Sequence, residues 1–213
     1  MTSDRISLVS AIPTDTKTSV LALLREELDV VAEVATLEEL SDRVGELVPD
    51  AVLIEDSLGR ERLAAVISAL KAHSPATQIV ISTSHDDAAT YEFVRAGAFC
   101  VVHTNSTAAS VVAVLKGCVR GEAVVSPYVA VCVGTELHAL DAEAGPNPPY
   151  LPPTLTGTEA EVLTQLGKGR SSEAIGDEHD VTARLVNLHT GYAIGKLRNH
   201  LDRERKLLSS TAR

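Results

Sequence analysis

Long apolar runs, paired cysteines and glycine-rich phosphate loops are all missing from this 213-residue chain. No apolar run approaches the roughly 20 residues that a membrane-spanning helix needs, and no basic segment with a long apolar core opens the chain as in a secretory signal peptide. Cys100, Cys118 and Cys132 are odd in number and widely spaced, which favours reduced, packed thiols over disulfides or a metal site. We therefore expect a cytoplasmic protein that binds no metal.

Catalytic motifs are missing as well. No glycine-rich turn joins a predicted strand to a helix, so a nucleotide-binding loop is not indicated. The pattern contains neither a nucleophile beside a base nor a cluster of metal-binding side chains. We expect no enzymatic activity and no cofactor.

The acidic charge is concentrated in the first part of the chain. Residues 1–154 contain ten Lys/Arg and twenty-one Asp/Glu, a balance of −11. Residues 155–213 contain nine Lys/Arg and eight Asp/Glu, a balance of +1, and the two parts together give the total of −10. Because an acidic surface repels a phosphate backbone, any contact with nucleic acid is expected after residue 154.

Five repeats of strand and helix are predicted within residues 1–125. The strands are mostly apolar without strict alternation, which indicates burial on both faces. Because parallel strands need helical crossovers, the repeats predict a five-stranded, doubly wound parallel sheet of flavodoxin-like order, an α/β fold. The predicted strands are Ile6–Ser10, Val30–Val34, Ala51–Glu55, Gln78–Ser82 and Phe99–His103, and the predicted helices cover about 15–27, 36–48, 59–73, 87–96 and 106–119.

Residues 126–154 are predicted to be an interdomain linker. The segment ends in a proline-rich stretch, Ala144 to Pro153, where proline removes backbone donors and stiffens the chain. Helical patterns follow at about 156–168, 171–178, 183–198 and 201–209, without a strand signal. Residues 155–213 are therefore expected to form a small all-α domain.

Local signals predict a helix-turn-helix at about 172–191. Thr156, Ser171 and Thr182 are suitable caps for three successive helices, and Gly169 ends the first of them. The segment resembles the LuxR-type DNA-binding domain of NarL/FixJ response regulators in one ungapped register. The matching residues are Leu155-Thr156, Glu161-Val162-Leu163, Gly169, Ser171, Ile175, Val181-Thr182, Val186, His189 and Lys196-Leu197.

This resemblance implies that the third helix enters the major groove of double-stranded DNA. Asn187 could then pair with adenine, and Leu188 or Thr190 could touch thymine methyl groups. Arg184 and Lys196 could hold phosphates. The candidate DNA-binding residues are Thr182, Arg184, Asn187, Leu188, Thr190 and Lys196.

The same segment departs from the family pattern. Asn187 and Gly191 stand where the family usually has basic residues, so we expect fewer side-chain contacts with the bases than is usual for the family. In the positioning helix, Gly176 stands at the position of the usual small residue and His179 at that of the usual apolar residue, which weakens that helix. Taken by itself, Arg184 could also be a solvent-exposed helix residue with no contact to DNA.

The first domain resembles a response-regulator receiver. The resemblance rests on the segment Pro49 to Ile54, Thr83 after the fourth strand, Arg95 to Ala98, Gly121-Glu122 and Ser126-Pro127. In a working receiver, acids at the strand ends hold Mg²⁺ and an aspartate accepts the phosphoryl group. A lysine after the last strand then forms an ion pair with the phosphate. Here the acid positions are Ser10 and Ala11, the phosphoacceptor position is Glu55, and the lysine position is Thr104, so only Thr83 of the switch remains.

Glu55 has two interpretations. Its carboxylate could occupy the space of a phosphoryl group and mimic phosphorylation, or it could be an exposed acid at a strand end. Asp56 is an alternative acceptor if the register is shifted, although the metal-binding acids would still be missing.

We therefore expect a bacterial transcription regulator whose receiver cannot undergo standard aspartate phosphorylation and which is controlled by dimerisation, a partner or a small-molecule ligand. It would bind double-stranded DNA as a homodimer, or as a heterodimer with another response regulator. Leu201, Leu207 and Leu208 could form the dimerising stripe or be buried within the domain. The alternative is a heterodimer partner or anti-activator with weak DNA binding of its own.

Overall fold

The computed structural model describes residues 5–13, 18–143 and 154–211, which fall into two compact units, Met1–Val124 and Val125–Arg213. The strands of the first unit are β1 (Ser7–Ala11), β2 (Asp29–Glu33), β3 (Ala51–Glu55), β4 (Gln78–Thr83) and β5 (Cys100–His103), and its helices are α1 (Thr18–Glu27), α2 (Leu37–Leu47), α3 (Arg60–His73), α4 (Ala88–Ala96) and α5 (Ala108–Val119). The strands pair in parallel in the order β2-β1-β3-β4-β5. This is the flavodoxin-like order, so the predicted fold of this unit is confirmed.

One face of the sheet forms the main core of the first unit. Alternate residues of its strands are buried there with apolar residues of α2, α3 and α4, among them Leu40, Leu63 and Phe93. The strand residues on this face include Val9, Ala11, Val52, Ile54, Ile79 and Ile81. Because successive side chains of a strand alternate between faces, Ser10 and Glu55 belong to the opposite face, which α5 packs against.

Strand β2 differs from its prediction. It was expected to be buried on both faces, but it lies at the edge of the sheet, and none of its five residues is fully buried. Glu33 at its end pairs with Arg25 of α1 at 2.7 Å. A charged, partly solvated edge is a common way to keep an unpaired strand from joining another chain.

The second unit consists of helices in the described residues. They are α6 (Pro127–Glu143), α7 (Gly157–Gly167), α8 (Ser172–His179) and α9 (Ala183–Thr211). Helix α6 packs on α7, and α8 packs on α9. An additional all-α domain was expected, and this arrangement agrees with it. No helix in the described part of either unit has the length and apolar content to cross a membrane.

Two boundaries in the second unit differ from the sequence expectation. Helix α6 occupies much of the predicted linker, because its apolar residues recur at helical spacing and are buried at Val129, Ala130, Val133 and Leu137. The proline-rich residues 144–153 lie outside the described residues. The predicted helices at 183–198 and 201–209 form one helix, since no glycine or proline separates them.

The turn from α8 to α9 depends on a close backbone approach at Gly176. A Cβ atom at this position would lie 2.6 Å from the carbonyl oxygen of Val181 and 3.1 Å from the nitrogen of Ala183. The Val181 nitrogen also donates a hydrogen bond to the Gly176 carbonyl, at 2.9 Å, which closes the turn. Gly176 therefore weakens the intrinsic helix propensity of α8 but allows the helix-turn-helix to close.

We predict that Gly176→Ala destabilises the second unit, because the new methyl group meets backbone that cannot yield as a flexible side chain would. The expected loss is about 1 to 3 kcal/mol in the free energy of unfolding, measured by urea denaturation. Gly195→Ala is the matched control, since Gly195 lies within α9 and a methyl group added there would meet nothing within 4 Å beyond the backbone of its own helix. It should stabilise the protein by up to about 1 kcal/mol. Equal effects of the two substitutions would contradict the tight turn.

Candidate functional site

The carboxyl edge of the sheet brings together the five residues of the predicted phosphorylation pocket. Ser10 and Ala11 end β1, Glu55 ends β3, Thr83 ends β4 and Thr104 directly follows β5. The backbone nitrogen of Thr104 donates to the Thr83 carbonyl at 3.0 Å, which ties the ends of β4 and β5 together. The edge is therefore the one that carries the site in doubly wound folds.

Glu55 is buried, which removes the interpretation that it is an exposed acid. The residue is about 6% exposed, and its Oε1 atom accepts a hydrogen bond from Ser57 Oγ at 3.0 Å. Its Oε2 atom and the Oγ atom of Ser10 are buried without a hydrogen-bond partner among the described residues. Glu55 thus has little contact with solvent and no cation beside it in the described part of the chain.

The adjacent Asp56 is the centre of an ion-pair network that the sequence reasoning missed. Asp56 lies in a 3₁₀ turn, Asp56–Leu58, and its carboxylate is buried. Thr83 Oγ1 donates to Asp56 Oδ2 at 2.7 Å. The guanidinium of Arg60, four residues further on, binds the same Asp56 oxygen and lies 3.2 Å from Thr83 Oγ1. The one switch residue that survives in the sequence is therefore held by Asp56 and Arg60.

Arg60 also reaches across to α4. Its Nη2 atom is 2.5 Å from Asp87 Oδ1, and its guanidinium lies over the Phe93 ring at 5.5 Å from the ring centre. Asp87 caps α4 by accepting from the Thr90 nitrogen at 3.1 Å. Partial burial opposes the ionisation of Asp87, but the Thr90 amide and the Arg60 charge outweigh it and lower the pKa of this carboxyl. One cation thus connects the ends of β3 and β4 to the start of α4.

A local signal for this network was present in the sequence. Asp56 and Arg60 are spaced four residues apart at the strand-to-helix junction, which suits an ion pair. The contribution of Asp87 could not be predicted, because it lies 27 residues away and reaches Arg60 only through the fold. His85 Nδ1 is 3.6 Å from the same Asp56 oxygen, at the rim of the cluster.

The second candidate site is the helix-turn-helix of α8 and α9. Thr182 is exposed, and its Oγ1 atom accepts from the Leu185 nitrogen at 3.2 Å, which caps the start of α9. Arg184 is exposed in the first turn, and Leu188 is half-buried one turn later. Thr182 and Arg184 are thus exposed and Leu188 is partly exposed around the start of α9, where a recognition helix presents its side chains.

Asn187 is half-buried and is bonded to the positioning helix. Ser172 Oγ, at the first residue of α8, donates to Asn187 Oδ1 at 2.6 Å. The carbonyl oxygen that was expected to pair with adenine is therefore already an acceptor within the domain.

Thr190 and Lys196 are directed into the domain, which does not fit the DNA contacts expected of them. Thr190 is fully buried and donates to the Val186 carbonyl at 3.0 Å. Lys196 Nζ lies 2.5 Å from Glu159 Oε2 and 2.8 Å from the Thr154 carbonyl oxygen. Both side chains are needed for packing or for the capping of α7, because the apolar stripe of α9 carries them inward.

The partner of Lys196 belongs to a capping box. Glu159 accepts from the Thr156 nitrogen at 2.7 Å, while its own nitrogen donates to Thr156 Oγ1 at 3.3 Å. Burial opposes the ionisation of Glu159, but the Lys196 ammonium and the Thr156 amide outweigh it and lower the pKa of the carboxyl. Lys196 therefore neutralises a buried charge at the start of α7.

His179, the other departure in the positioning helix, is exposed beside a largely apolar cavity of about 350 Å³ between α7, α8 and α9. Val162, Ile175 and Val186 line this cavity, and Leu185 lies at its edge. The cavity marks the volume that an apolar side chain at position 179 would help to fill. His189 is half-buried and meets Tyr192 edge to face, at 6.1 Å between ring centres, so its contacts are those of a packed residue.

We predict that Arg60→Gln destabilises the first unit, because it leaves the buried Asp56 carboxylate without its cation. The expected loss is about 3 kcal/mol in the free energy of unfolding, measured by urea denaturation at neutral pH. The matched control is Arg62→Gln, which removes an exposed ion pair with Glu38, 2.6 Å long, and should cost at most about 1 kcal/mol. A loss for Arg60→Gln no larger than that of the control would show that the network is not a stabilising one.

No family model matches the chain. Among known proteins it is similar to the transcriptional regulatory protein LiaR of Bacillus subtilis, with 26% identity over 172 residues covering 80% of this chain and 79% of LiaR. It is similar to the transcriptional regulatory protein LnrK of the same species, with 28% identity and coverage of 83% and 82%. The response regulator protein VraR of Staphylococcus aureus is 25% identical, with coverage of 81% and 79%.

Solved structures resemble the first unit most clearly. The signal receiver domain of the response regulator NarL from Mycobacterium tuberculosis superposes with a TM-score of 0.51 at 20% identity, covering 55% of this chain and 98% of that domain. A LuxR-family two-component response regulator from Aurantimonas gives a TM-score of 0.51 at 24% identity, covering 62% and 97%. The first unit therefore has the receiver fold, and the relatives that extend into the second unit are response regulators and transcriptional regulatory proteins of the NarL/LuxR type.

Proposed function

We propose that this protein is a DNA-binding transcription regulator whose receiver works without aspartate phosphorylation. DNA binding is supported by one observation above all: the closed turn at Gly176 joins α8 to α9, whose start exposes the cap Thr182 and Arg184 and leaves Leu188 partly exposed. The relatives named as transcriptional regulatory proteins support the same assignment.

The charge distribution agrees with a DNA contact in the second unit. Residues 1–154 carry −11 and residues 155–213 carry +1, so a phosphate backbone is repelled least by the helix-turn-helix segment. Arg184 in the first turn of α9 is the candidate phosphate contact. Arg203, Arg205 and Lys206 are exposed further along the same helix.

Independence from phosphorylation is supported by the chemistry of the strand ends. Mg²⁺ requires oxygen ligands, usually carboxylates, but Ser10 and Ala11 supply no carboxylate at the acid positions. The residues present therefore do not fit the metal that receiver phosphorylation uses. Thr83 is already bonded to Asp56 and Arg60, and Thr104 offers no cation to a phosphate.

A second candidate function is a heterodimer partner or anti-activator that contributes a weak DNA-binding half. The inward position of Thr190 and Lys196 favours it, because the number of side chains near the groove is smaller than the family pattern implies. Control by dimerisation or by a partner is part of both proposals, and a small-molecule input is compatible with either.

We predict that the protein acquires no phosphoryl group from acetyl phosphate in the presence of Mg²⁺. The reason is that other residues replace the metal-binding acids and the lysine that would pair with the phosphate. Intact mass spectrometry and size-exclusion chromatography should show the same mass and the same oligomeric state before and after incubation. Glu55→Gln and Asp56→Asn serve as controls that locate any adduct. A stable adduct on the wild type that is lost in either variant would contradict phosphate independence.

We predict that DNA binding by the wild type weakens steeply with salt and that Arg184→Gln lowers the slope of log K against log salt by about 1, as the loss of one phosphate contact does. Fluorescence anisotropy with a labelled DNA fragment from the region upstream of the protein's own gene measures this slope. Arg43→Gln in the first unit, which removes an exposed pair with Glu46 at 2.9 Å, should leave it unchanged.

The same measurement separates the two candidate functions. Binding by the protein alone supports the homodimeric regulator. Binding that appears only after a second response regulator is added supports the heterodimer partner. Equal slopes for the wild type and Arg184→Gln would exclude Arg184 as a phosphate contact.

A further inference from the structure

We propose that the cavity between α7, α8 and α9 binds a small arylalkylamine, that is, an aromatic ring system with a protonated amino group on a short alkyl chain. Neither the resemblance nor the names of the relatives assign a ligand to this part of the chain. The binding site itself does not depend on DNA binding. Its role as the small-molecule input of a transcription regulator does rest on the proposed function.

The inner wall of the cavity is apolar and is shared by the three helices. Val162 of α7, Ile175 of α8 and Val186 of α9 line it, and all three residues are buried. The cavity volume is about 350 Å³, whereas an apolar cavity of roughly 150 Å³ is enough for one benzene ring. The imidazole rings of His179 and His189 also line the cavity, which favours an aromatic body over an alkyl chain. The space therefore suits a molecule of about two fused rings.

The helices around the cavity are held apart by contacts on two sides. At the turn from α8 to α9, a Cβ atom on Gly176 would lie 2.6 Å from the Val181 carbonyl oxygen, so these backbones cannot move closer. On the other side, Lys196 of α9 pairs with Glu159 at the start of α7, at 2.5 Å. Because neither contact lets the walls close on the empty volume, the cavity is formed before a ligand arrives, which lowers the cost of binding.

The charge at the mouth of the cavity favours a cation. Glu161 is exposed at the rim, and the described residues that line the cavity include no lysine or arginine. Glu161 Oε1 accepts from the Gln165 amide at 2.5 Å, a neutral partner that leaves the carboxylate its charge. On the α8 side, the exposed Asp177 and Asp180 add further negative charge. A protonated amine is therefore attracted to this mouth, whereas a carboxylate is repelled.

The cavity adjoins the start of the proposed recognition helix. Val181 and Leu185 line its edge, and Thr182 and Arg184 lie between them in the chain. A molecule that packs against all three helices binds the folded unit and stabilises it. Because the same turn carries Arg184, the candidate phosphate contact, we expect the ligand and DNA to affect each other's affinity, and such coupling is reciprocal.

Three probes with the same ring system and different head groups test the proposal. They are 2-naphthylmethylamine, 2-naphthylmethanol and 2-naphthoate, which are cationic, neutral and anionic at neutral pH. Their affinities for the full-length protein are measured by isothermal titration calorimetry. Thermal denaturation with and without each probe gives the accompanying stabilisation.

Two substitutions separate the head group from the body of the site. Glu161→Gln removes the charge at the mouth. His179→Trp places a tethered aromatic ring at the cavity, and since the chain contains no tryptophan, the emission of the new indole reports whether the ring is buried. Glu173→Gln and Glu173→Trp are the matched controls, because Glu173 is exposed on α8 and does not line the cavity.

We expect the amine to bind most tightly to the wild type and the carboxylate least. Glu161→Gln should weaken amine binding by about fivefold, as the loss of one exposed ion pair does, and leave the affinity for the alcohol unchanged. His179→Trp should weaken all binding by about tenfold or more, because the tethered ring competes for the same volume. Its emission maximum should lie at a shorter wavelength than that of Glu173→Trp, and both controls should bind as the wild type does.

Equal affinities of the wild type for the amine and the carboxylate would overturn the assignment of an amine. Failure of all three probes to bind, or binding that His179→Trp leaves unchanged, would overturn the site. Size-exclusion chromatography covers a different occupant: a wild-type dimer that dissociates in His179→Trp, without probe binding, would assign the cavity to a side chain of a second copy and overturn the ligand.

Fluorescence anisotropy of DNA binding, repeated with the amine present, tests the role of the site as an input. The amine should change the DNA affinity of the wild type and not that of His179→Trp. Probe binding by a protein that binds no DNA would overturn the proposed function and leave the site standing. DNA binding that the bound amine leaves unchanged would overturn the input role.

Discussion

The Arg60 guanidinium is the cation around which the carboxyl edge of the sheet is organised. Asp56 is buried at the end of β3, and a buried carboxylate is strongly unfavourable unless a cation or several hydrogen bonds compensate for it. Arg60 supplies the charge, Thr83 supplies a hydroxyl donor, and Asp87 occupies the other side of the guanidinium. The order of strands brings these groups together, and the pair in turn holds the ends of β3 and β4 to the start of α4.

In the proposed function, this arrangement bears on what can act as a signal. In a phosphorylated receiver the free energy of switching comes from a new dianion that attracts a hydroxyl and a lysine. Here the hydroxyl of Thr83 is engaged by an internal charge pair, and the lysine position is a threonine. A signal shifts an equilibrium only by its difference in affinity for two states. Under the proposed phosphate-independent function, such a difference would come from dimerisation, a partner or a small-molecule ligand.

The sequence was most informative where burial alone decides the structure. The apolar strands and their helical crossovers predicted the sheet order, because parallel pairing leaves few alternatives. The proline-rich stretch favours the prediction that 126–154 is a linker. However, the apolar residues Val129, Val133 and Leu137, which are buried in α6, recur at the spacing of a helix before the first of those prolines. The ion pair between Arg60 and Asp87 could not be predicted, since it joins residues from different repeats and depends on the 3₁₀ turn that redirects the chain after β3.

The recognition helix shows how a motif and a periodicity can disagree. Motif alignment placed Thr190 among the DNA contacts, but Val186, Thr190, Ala193 and Leu197 recur at helical spacing and share the buried face of α9. The periodicity was the better guide, because a helix in a groove can present only the face that it does not bury. Asn187 lies at the border between these faces, where its side chain is half-buried and bonded to Ser172 of α8. At such a border, the identity of a residue predicts its chemistry only together with its neighbour on the adjoining helix.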